Sequence, residues 1–595
     1  MTAAIQTIWT ELVATSLADG GVTRCVVSPG SRSTPLVAAL AREPRLELVT
    51  LIDERAAAFF ALGAARATGL PIVLVCTSGT AAAHYLPAIV EASLAGVPLL
   101  AITADRPPEL QGCGASQTID QIKLYGDFVR GAIDLGVPGE GELALRSVRR
   151  KIIQAITLAR GPHPGPVHVE LPLRKPLEPA APTTDAERSL ARLAGQLAGE
   201  VRIAPPVLAP DPRATADLAA AIAREPDGVI VAGALPAAFA ATRTAVFALA
   251  ARSGYPIVAE AGSQLRFGPR PDGLVFVDHF DLIPTAAQPA PRLVVQLGAE
   301  PVAAAWPAWL ARVAAAGAER WVLAGQAWHD ADSSARGVIL GDVAATIEAV
   351  TGALAAASAA PRAPGEAAAT WRTAEARAAQ AIEVALDRHP RNEAAMLRAA
   401  IEAVPPGAAI QLGNSLPIRV VDQVCTDRVP HVVLTQRGAA GIDGLIASAA
   451  GATWAGRPVL LVLGDVSFAH DLGGLLAARA AHAPLAILVI DNRGGQIFAG
   501  LPIARTQPAA ALERYWLTAP ELDPTAIAAA LGIRATTAAS PAGAGAAIAR
   551  ALETPGPTVI HAPVSASGAH DVRRTALEHF AMPPSLRVAR GGTND

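Results

Sequence analysis

The sequence predicts an α/β protein of three doubly wound domains, each a parallel sheet flanked by helices. Three observations lead to this prediction. Short apolar runs alternate with helical segments along most of the 595 residues, which is typical of parallel strands buried on both faces. One strand–turn–helix–strand unit occurs twice in the chain. Two stretches rich in proline and alanine separate three such regions.

The length and composition of the chain limit its possible functions. A chain of 595 residues is too long for one hydrophobic core. A hydrophobic content of 51% and a net charge of −3 describe a compact soluble protein, with no electrostatic reason to bind nucleic acid or a membrane surface. No segment reads as a membrane-spanning helix or a signal peptide. The four cysteines lack metal-ligand spacing, so we expect free thiols in a cytoplasmic protein.

The proline- and alanine-rich joints divide the chain. They lie at Pro176–Ala186 and Ala355–Ala368, and both are poor in structure-forming residues. The sequence therefore predicts domains over residues 1–180, 200–350 and 370–585. The central region also alternates strand and helix but carries few reactive side chains.

Polar residues follow two predicted strands of the C-terminal domain. Strands are expected over Arg457–Gly464 and Pro484–Ile490, with a helix over His470–Ala481 between them. Such a crossover sets the strands parallel, so Asp465 and Asn492 lie at the sheet edge where open α/β sheets bind ligands. A carboxylate, an amide and a glycine-rich turn suit a divalent cation that holds a diphosphate. The same residues also occur in ordinary turns without a ligand.

The repeated unit helps to decide between a metal site and ordinary turns without a ligand. Residues from Gly69 line up with those from Gly456 in the order strand, turn, helix and strand, and Pro71 matches Pro458. Ser78 stands where the second copy has Asp465, so only the second copy can offer a carboxylate to a metal. We expect two related domains, one of which binds the metal, although any two βαβ units share some of this pattern.

Seven motifs, which include those around Asp465 and Asn492, carry a resemblance to a known family. An acidic residue, Glu54, opens an alanine-rich helix, where acids ordinarily complement the helix dipole. The motifs are SPGSRSTP (28–35), IDERAAAFFALG (52–63), TADRPPEL (103–110), GNSLPIR (413–419), RGAAGIDG (437–444), GDVSFAHDLGGL (464–475) and DNRGGQIFAGLP (491–502). Together they resemble the 2-succinyl-5-enolpyruvyl-6-hydroxy-3-cyclohexene-1-carboxylate (SEPHCHC) synthases, thiamine-diphosphate (ThDP) enzymes of menaquinone biosynthesis.

The resemblance implies an activity and an architecture. It implies a transferase that decarboxylates 2-oxoglutarate and adds the product to isochorismate, with ThDP and Mg²⁺ or Mn²⁺ as cofactors. The N-terminal domain would bind the pyrimidine of ThDP and the C-terminal domain its diphosphate and metal. A homodimer or homotetramer with active sites between subunits is expected.

The resemblance also assigns roles to individual residues. Glu54 is the expected catalytic residue, in contact with the pyrimidine ring. The other expected cofactor contacts are Ile442, Gly464, Asp465, Ser467, Asn492 and Phe498. The expected metal ligands are Asp465, Asn492 and the carbonyl of Gly494.

Two dicarboxylate substrates need several fixed cations, and arginine binds carboxylates bidentately. The expected substrate-binding residues are therefore Arg32, Arg106, Arg419 and Arg437, with Ser31, Gln117 and Ser415 as neutral donors.

The chain departs from the family pattern at some positions. Ser116 stands where the family has Asn, and residues 298–306 lack the usual basic pair, for which Arg312 is a possible substitute. The alternatives are another ThDP decarboxylase or carboligase of the acetolactate-synthase kind, and an inactive scaffold paralogue. The four arginines argue against the first alternative, and the retained Glu54, Asp465 and Asn492 argue against the second.

Overall fold

Three six-stranded parallel sheets organise the chain. The computed structural model describes residues 2–204, 206–357 and 361–583. These residues form two compact units. The first comprises Met1–Val207, Gln436–Gly456 and His470–Ala483, and the second comprises Leu208–Thr435, Arg457–Ala469 and Pro484–Asp595.

The first unit contains one sheet and the helices around it. Its strands are β1 (Arg24–Val27), β2 (Glu47–Thr50), β3 (Ile72–Cys76), β4 (Leu99–Asp105), β5 (Ala132–Asp134) and β6 (Pro166–Pro172), in the order β2-β1-β3-β4-β6-β5. Its helices are Ala3–Asp19, Thr34–Arg42, Glu54–Thr68, Thr80–Ala83, Leu86–Ala95, Glu142–Arg160, Asp185–Leu197, Leu445–Ala452 and Leu472–Ala478. Every residue of β3, β4 and β6 is buried, which explains why these central strands read as continuous apolar runs.

The second unit contains two sheets. The strands of its first sheet are β7 (Gly228–Ala232), β8 (Ile257–Ala259), β9 (Phe276–Val277), β10 (Leu293–Leu297), β11 (Glu319–Ala324) and β12 (Gly337–Leu340), in the order β12-β11-β10-β7-β8-β9. The other sheet comprises β13 (Ala409–Leu412), β14 (Val432–Thr435), β15 (Val459–Gly464), β16 (Leu485–Asp491), β17 (Arg534–Thr537) and β18 (Pro557–Pro563), in the order β14-β13-β15-β16-β18-β17. The α-helices are Pro212–Arg224, Thr244–Ser253, Trp306–Ala315, Val343–Ala357, Glu366–Arg388, Glu393–Glu402, Leu416–Val424, Asp465–His470 (whose last residue belongs to the first unit), Ile503–Thr506, Ala509–Leu512, Pro524–Ala530, Pro541–Glu553 and Gly568–Ala581.

The sheet orders confirm the internal repeat. The sheets that contain β1–β6 and β13–β18 share one order: second strand, first, third, fourth, sixth and fifth. The repeated unit corresponds to β3 and β4 in the first copy and to β15 and β16 in the second. The predicted α/β class with three parallel sheets is therefore confirmed.

Some predicted boundaries are wrong. The helix expected over His470–Ala481 is shorter and spans Leu472–Ala478. It is preceded by a second helix, Asp465–His470, and the two meet at Asp471, whose backbone has φ −111° and ψ 36°. The carboxylate of this buried residue accepts hydrogen bonds from the backbone of Ile446 and Ala447, at 2.8 and 3.1 Å. Asp471 therefore stabilises the start of another helix.

The predicted joints are only partly irregular. Helices occupy both ends of the alanine-rich stretch from residue 355 to 368, because alanine has the highest helix propensity; residues 358–360 lie outside the described part, as do residues 584 and 585 of the predicted C-terminal domain. The other joint is irregular until Thr184 caps a helix that begins at Asp185. Among the described helices, none combines the length and apolar character needed to cross a membrane.

Candidate active site

The predicted metal residues lie at one edge of the sheet β13–β18, in the second unit. Gly464 at the end of β15 pairs with Ile490 of β16, so the residues that follow these two strands are neighbours. Asp465 accepts hydrogen bonds from the backbone of Val466 at 2.8 Å and of Gly494 at 2.6 Å. The carboxylate thus holds together the two turns that carry the predicted ligands.

Burial perturbs the acidity of Asp465. Removal from water raises the pKa of this carboxyl to about 6, the two backbone donors act in the opposite direction, and the nearby Asp491 raises it further. A divalent cation beside the group would favour its charged form. The site therefore suits a positively charged ligand.

Asn492 has one satisfied and one unsatisfied end. Its side-chain nitrogen donates to a carboxylate oxygen of Glu393 at 3.0 Å, whereas its oxygen is buried and has no hydrogen-bond partner within the described part of the chain. Burial raises the pKa of Glu393 to about 7; the hydrogen bond from Asn492 lowers it, and the charge of Asp465 raises it. Amide and carboxylate oxygens are among the ligands that hard divalent cations take, so the oxygen of Asn492 is a candidate ligand for one.

Gly494 completes the turn. Its φ is +105°, and a Cβ added there would overlap the carbonyl oxygen of Leu517, so the position demands glycine. Its own carbonyl accepts a hydrogen bond from the backbone of Gln496 at 2.7 Å, and a second lone pair remains for a metal. Among the described residues, no group of three His, Cys, Asp or Glu side chains could hold a metal ion, so a metal here depends on mixed carboxylate, amide and carbonyl oxygens.

The remaining predicted side chains of the second unit lie in three places. Ser467 is buried in the helix after β15, and Phe498 is half-buried in the turn after β16. Ser415 adopts a positive φ of 73° before the helix Leu416–Val424. Its carbonyl accepts a hydrogen bond from the guanidinium of Arg419 at 2.7 Å. The structure therefore brings Ser415 and Arg419 together in one turn.

In the first unit, Glu54 does not cap the helix that it begins, although acidic residues at this position often do. The carboxylate of Asp53 caps the helix by accepting hydrogen bonds from the backbone of Arg55 and Ala56, at 2.9 and 3.2 Å. Glu54 is half-buried and makes no side-chain hydrogen bond or ion pair with another described residue. The helix start does not need this carboxylate, which leaves it available to a ligand.

Two of the predicted arginines lie together at the edge of the sheet β1–β6. Arg32 is 5% exposed and donates to the carbonyl of Leu173 at 2.6 Å. Its Nε and one terminal nitrogen of Arg106 are both buried, and neither has a hydrogen-bond partner among the residues that the structure describes. Burial lowers the pKa of both guanidinium groups, and for Arg32 the charge of Arg106 adds to this effect. Unused guanidinium donors in a buried place suit a carboxylate ligand.

A polar network that the sequence reasoning missed braces this edge. Gln121 accepts a hydrogen bond from the backbone of Gly79 at 2.8 Å and donates to Glu170 at 3.1 Å. Gln117, a predicted substrate residue, donates to the carbonyl of Ser78 at 3.0 Å. The hydroxyls of Thr77 and Ser78 are buried and have no hydrogen-bond partner among the described residues. Their position directly after buried strands was the signal that could have identified them.

Beside these groups, burial raises the pKa of Asp105 to about 6, and the charge of Glu170 adds to the effect. Ser31 is exposed on the turn after β1. Asp105 therefore adds a buried acid to the edge that carries Arg32 and Arg106.

The loop with Arg437 and Ile442 is anchored within the first unit. Glu91 accepts hydrogen bonds from the backbone of Gly438 at 3.0 Å and Ala439 at 2.6 Å, and its charge is paired with Arg66 at 2.7 Å. Ile442 is half-buried. These contacts fix the loop on which both residues are carried.

Arg312, the suggested substitute for the missing basic pair, is partly held by backbone contacts. Its guanidinium donates to the carbonyls of Gln288 and Pro289, at 2.6 and 3.3 Å. Both acceptors are backbone atoms, whereas its buried Nε has no hydrogen-bond partner among the described residues. The suggested replacement of the basic pair by Arg312 therefore stays a prediction.

Comparisons with known proteins show similarity to thiamine-diphosphate enzymes in sequence and in fold. Residues 9–124 match the model of the thiamine pyrophosphate enzyme N-terminal TPP binding domain, and residues 419–562 match the C-terminal TPP binding domain. Among solved structures, benzoylformate decarboxylase from Polynucleobacter necessarius has a TM-score of 0.71 at 16% identity and covers 94% of this chain and 98% of its own. A putative thiamin diphosphate-dependent enzyme from Mycobacterium smegmatis has a TM-score of 0.66 at 20% identity, over 92% of this chain and 98% of its own. These structures share the fold.

Curated relatives are more similar in sequence. The SEPHCHC synthase of Sorangium cellulosum is 42% identical over 580 residues, which cover 94% of this chain and 93% of the relative. The enzyme of the same name from Geobacillus kaustophilus is 40% identical and covers 84% of this chain and 85% of its own length. The chain therefore belongs to the SEPHCHC synthase family of thiamine-diphosphate enzymes.

Proposed function

We propose that this protein decarboxylates 2-oxoglutarate and adds the resulting carbanion equivalent to isochorismate in a 1,4 sense, giving SEPHCHC in menaquinone biosynthesis. The observation that carries the proposal is the 42% identity, over nearly the whole of both chains, to a relative named for this product. Another ThDP decarboxylase or carboligase is less favoured, because a small monocarboxylate does not need the buried arginine donors found here.

The substrate carboxylates would bind at the edge of the sheet β1–β6. Arg32 and Arg106 each offer a buried nitrogen that has no partner in the described part of the chain, and a substrate carboxylate could accept hydrogen bonds from these donors. Gln117 and Ser31 would add neutral donors. On the other loops, we assign Arg437, Ser415 and Arg419 to the same task.

The cofactor would be held by both TPP-binding regions. When bound, ThDP supplies the carbon nucleophile and accepts the electrons released with CO2. Glu54 would share a proton with a ring nitrogen of the pyrimidine, and its freedom from capping supports this role. Ile442 and Phe498 would support the rings, and Gly464 and Ser467 would contact the diphosphate.

The metal, which we propose to be Mg²⁺ or Mn²⁺, would bind to the carboxylate of Asp465, the amide oxygen of Asn492 and the carbonyl of Gly494. The unsatisfied oxygen of Asn492 supports this assignment. The metal would neutralise the diphosphate and fix its position.

We further propose a cytoplasmic homo-oligomer, dimer or tetramer, whose active sites use two chains. The proposed domains are a pyrimidine-binding domain (1–180), a central domain (200–350) and a diphosphate- and metal-binding domain (370–585). The four cysteines are free, as expected in a reducing compartment. Next to the unpaired Glu54, the apolar side chain of Ile52 is 80% exposed, which a second subunit would cover.

Mixing two inactive variants tests whether the active sites are shared. Glu54→Gln and Asp465→Asn homo-oligomers, dissociated and reassociated at equal amounts, should regain about a quarter of wild-type activity if each site takes one residue from each subunit of a dimer. No recovery, although mixed oligomers form, would contradict shared sites.

Product analysis tests the reaction itself. The purified protein is incubated with ThDP, Mg²⁺, 2-oxoglutarate and isochorismate, and the products are analysed by mass spectrometry. The SEPHCHC mass is expected. Acetolactate formed from pyruvate, with no SEPHCHC, would favour the carboligase alternative.

A further inference from the structure

We propose that Glu393 is a positioning residue that holds the amide of Asn492 so that its oxygen, and not its nitrogen, faces the metal. The inference rests on the proposed function, because it assumes the metal site at Asp465 and Asn492. It concerns a residue outside the motifs that identify the family.

The geometry leaves one orientation for the amide. Glu393 is 1% exposed and Asn492 is 5% exposed, and the nitrogen of Asn492 lies 3.0 Å from a carboxylate oxygen of Glu393. A carboxylate accepts hydrogen bonds, whereas an amide has one donating and one accepting end. Glu393 therefore selects the NH₂ end, and no described residue pairs with the oxygen.

The helix Glu393–Glu402 fixes this side chain at its first residue. The helix is capped by Asn392, whose side chain accepts from the backbone of Ala395 at 3.0 Å, so Glu393 is not needed as a cap. Among the described residues, no Lys, Arg or His forms an ion pair with Glu393. A buried carboxylate without a cation is costly, and a divalent metal bound through Asn492 would supply the missing positive charge nearby.

Exchanging the two functional groups tests the proposal. In Glu393→Gln the side chain can also donate, so the amide of Asn492 can turn its nitrogen towards the metal. In Asn492→Asp two carboxylates face each other. In the double variant Glu393→Gln/Asn492→Asp, the new amide donates to the new carboxylate, whose second oxygen faces the metal as before. Glu402→Gln, at the exposed other end of the same helix, is the matched control.

The measurement is the dissociation constant of ThDP for each apo protein, by calorimetry at saturating Mg²⁺ and with EDTA. We expect the two single variants to bind ThDP about 10- to 100-fold more weakly in Mg²⁺, as is typical when the partner of a metal ligand is lost. The double variant should return to within about threefold of wild type, and Glu402→Gln should not change.

Several results would overturn the proposal. One is that Glu393→Gln binds ThDP with wild-type affinity in Mg²⁺. Another is that the double variant binds ThDP no more tightly than Asn492→Asp does. If Glu393→Gln alone does not fold, the double variant is the deciding protein. A double variant that folds and binds ThDP supports the exchanged hydrogen bond, and one that does neither refutes the proposal. A wild-type protein that binds ThDP equally well in EDTA would instead overturn the metal site, and with it this part of the proposed function.

Discussion

Replacing Gly494 with alanine should damage both stability and cofactor binding. An added Cβ would overlap the carbonyl oxygen of Leu517, and the backbone has φ +105°. The turn must shift to relieve this overlap. The backbone N–H of Gly494 then moves away from the carboxylate of Asp465, which it meets at 2.6 Å.

The expected magnitude has two parts. A non-glycine residue at a disfavoured positive φ costs about 1–3 kcal/mol, and overlap in a packed site costs about 1–3 kcal/mol more. Loss of a hydrogen bond to a charged group is equivalent to about 1.5–3 kcal/mol. At about 1.4 kcal/mol for each factor of ten, ThDP binding should weaken by about 10- to 100-fold.

Gly532→Ala is the matched control. Gly532 also has a positive φ of +71°, but no atom lies within 4 Å of an added Cβ, so this variant carries only the backbone cost of about 1–2 kcal/mol. Urea unfolding and ThDP calorimetry are measured for both variants. The reasoning is refuted if Gly494→Ala is no less stable than Gly532→Ala and binds ThDP like the wild type.

Three further predictions follow from the two units. Glu54→Gln should abolish turnover while ThDP still binds by calorimetry; undiminished turnover would remove Glu54 from its role. Arg106→Lys should raise the KM of at least one substrate about tenfold or more with unchanged ThDP affinity, since lysine cannot reproduce a bidentate contact, and unchanged steady-state kinetics would argue against the assignment. Burial raises the pKa of Asp471 to about 6 from an ordinary 3.8, against the effect of the hydrogen bonds from Ala447 and Ile446. Between these values the native state holds a proton that the unfolded chain has released, so the free energy of unfolding falls as pH rises, by up to about 3 kcal/mol. In Asp471→Asn the free energy of unfolding, measured with urea at about pH 4.5 and 7.5, should not show this decrease. Equal pH dependence in the variant and the wild type would contradict the prediction.

The sequence was sufficient for the parts of the fold that depend on short-range patterns. Strands β15 and β16 read as apolar runs because both faces of a parallel strand are buried, and the repeat with β3 and β4 appears in the sheet orders. The helix break at Asp471 was not predictable, because it depends on hydrogen bonds to Ile446 and Ala447. The alanine-rich joint was misread because low complexity hides a strong helix propensity.

In the candidate site, too, some residues were predictable from short-range patterns, whereas others depend on contacts between distant parts of the chain. Asp465 and Asn492 could be placed from the sequence, since residues that follow buried parallel strands lie at one sheet edge. Glu393 could not, because it lies 99 residues before Asn492 and reads as an ordinary acid in a first helical turn. The capping role of Asp53, which frees Glu54, also became visible only from the hydrogen bonds.

The most direct test of the proposed function is the release of labelled CO2 from 2-oxoglutarate, measured with purified protein, ThDP and Mg²⁺. The measurement is made with and without isochorismate. We predict fast release only when isochorismate is present, with one SEPHCHC formed for each CO2. Release at the same rate without isochorismate, or no release despite bound ThDP, would contradict the proposal.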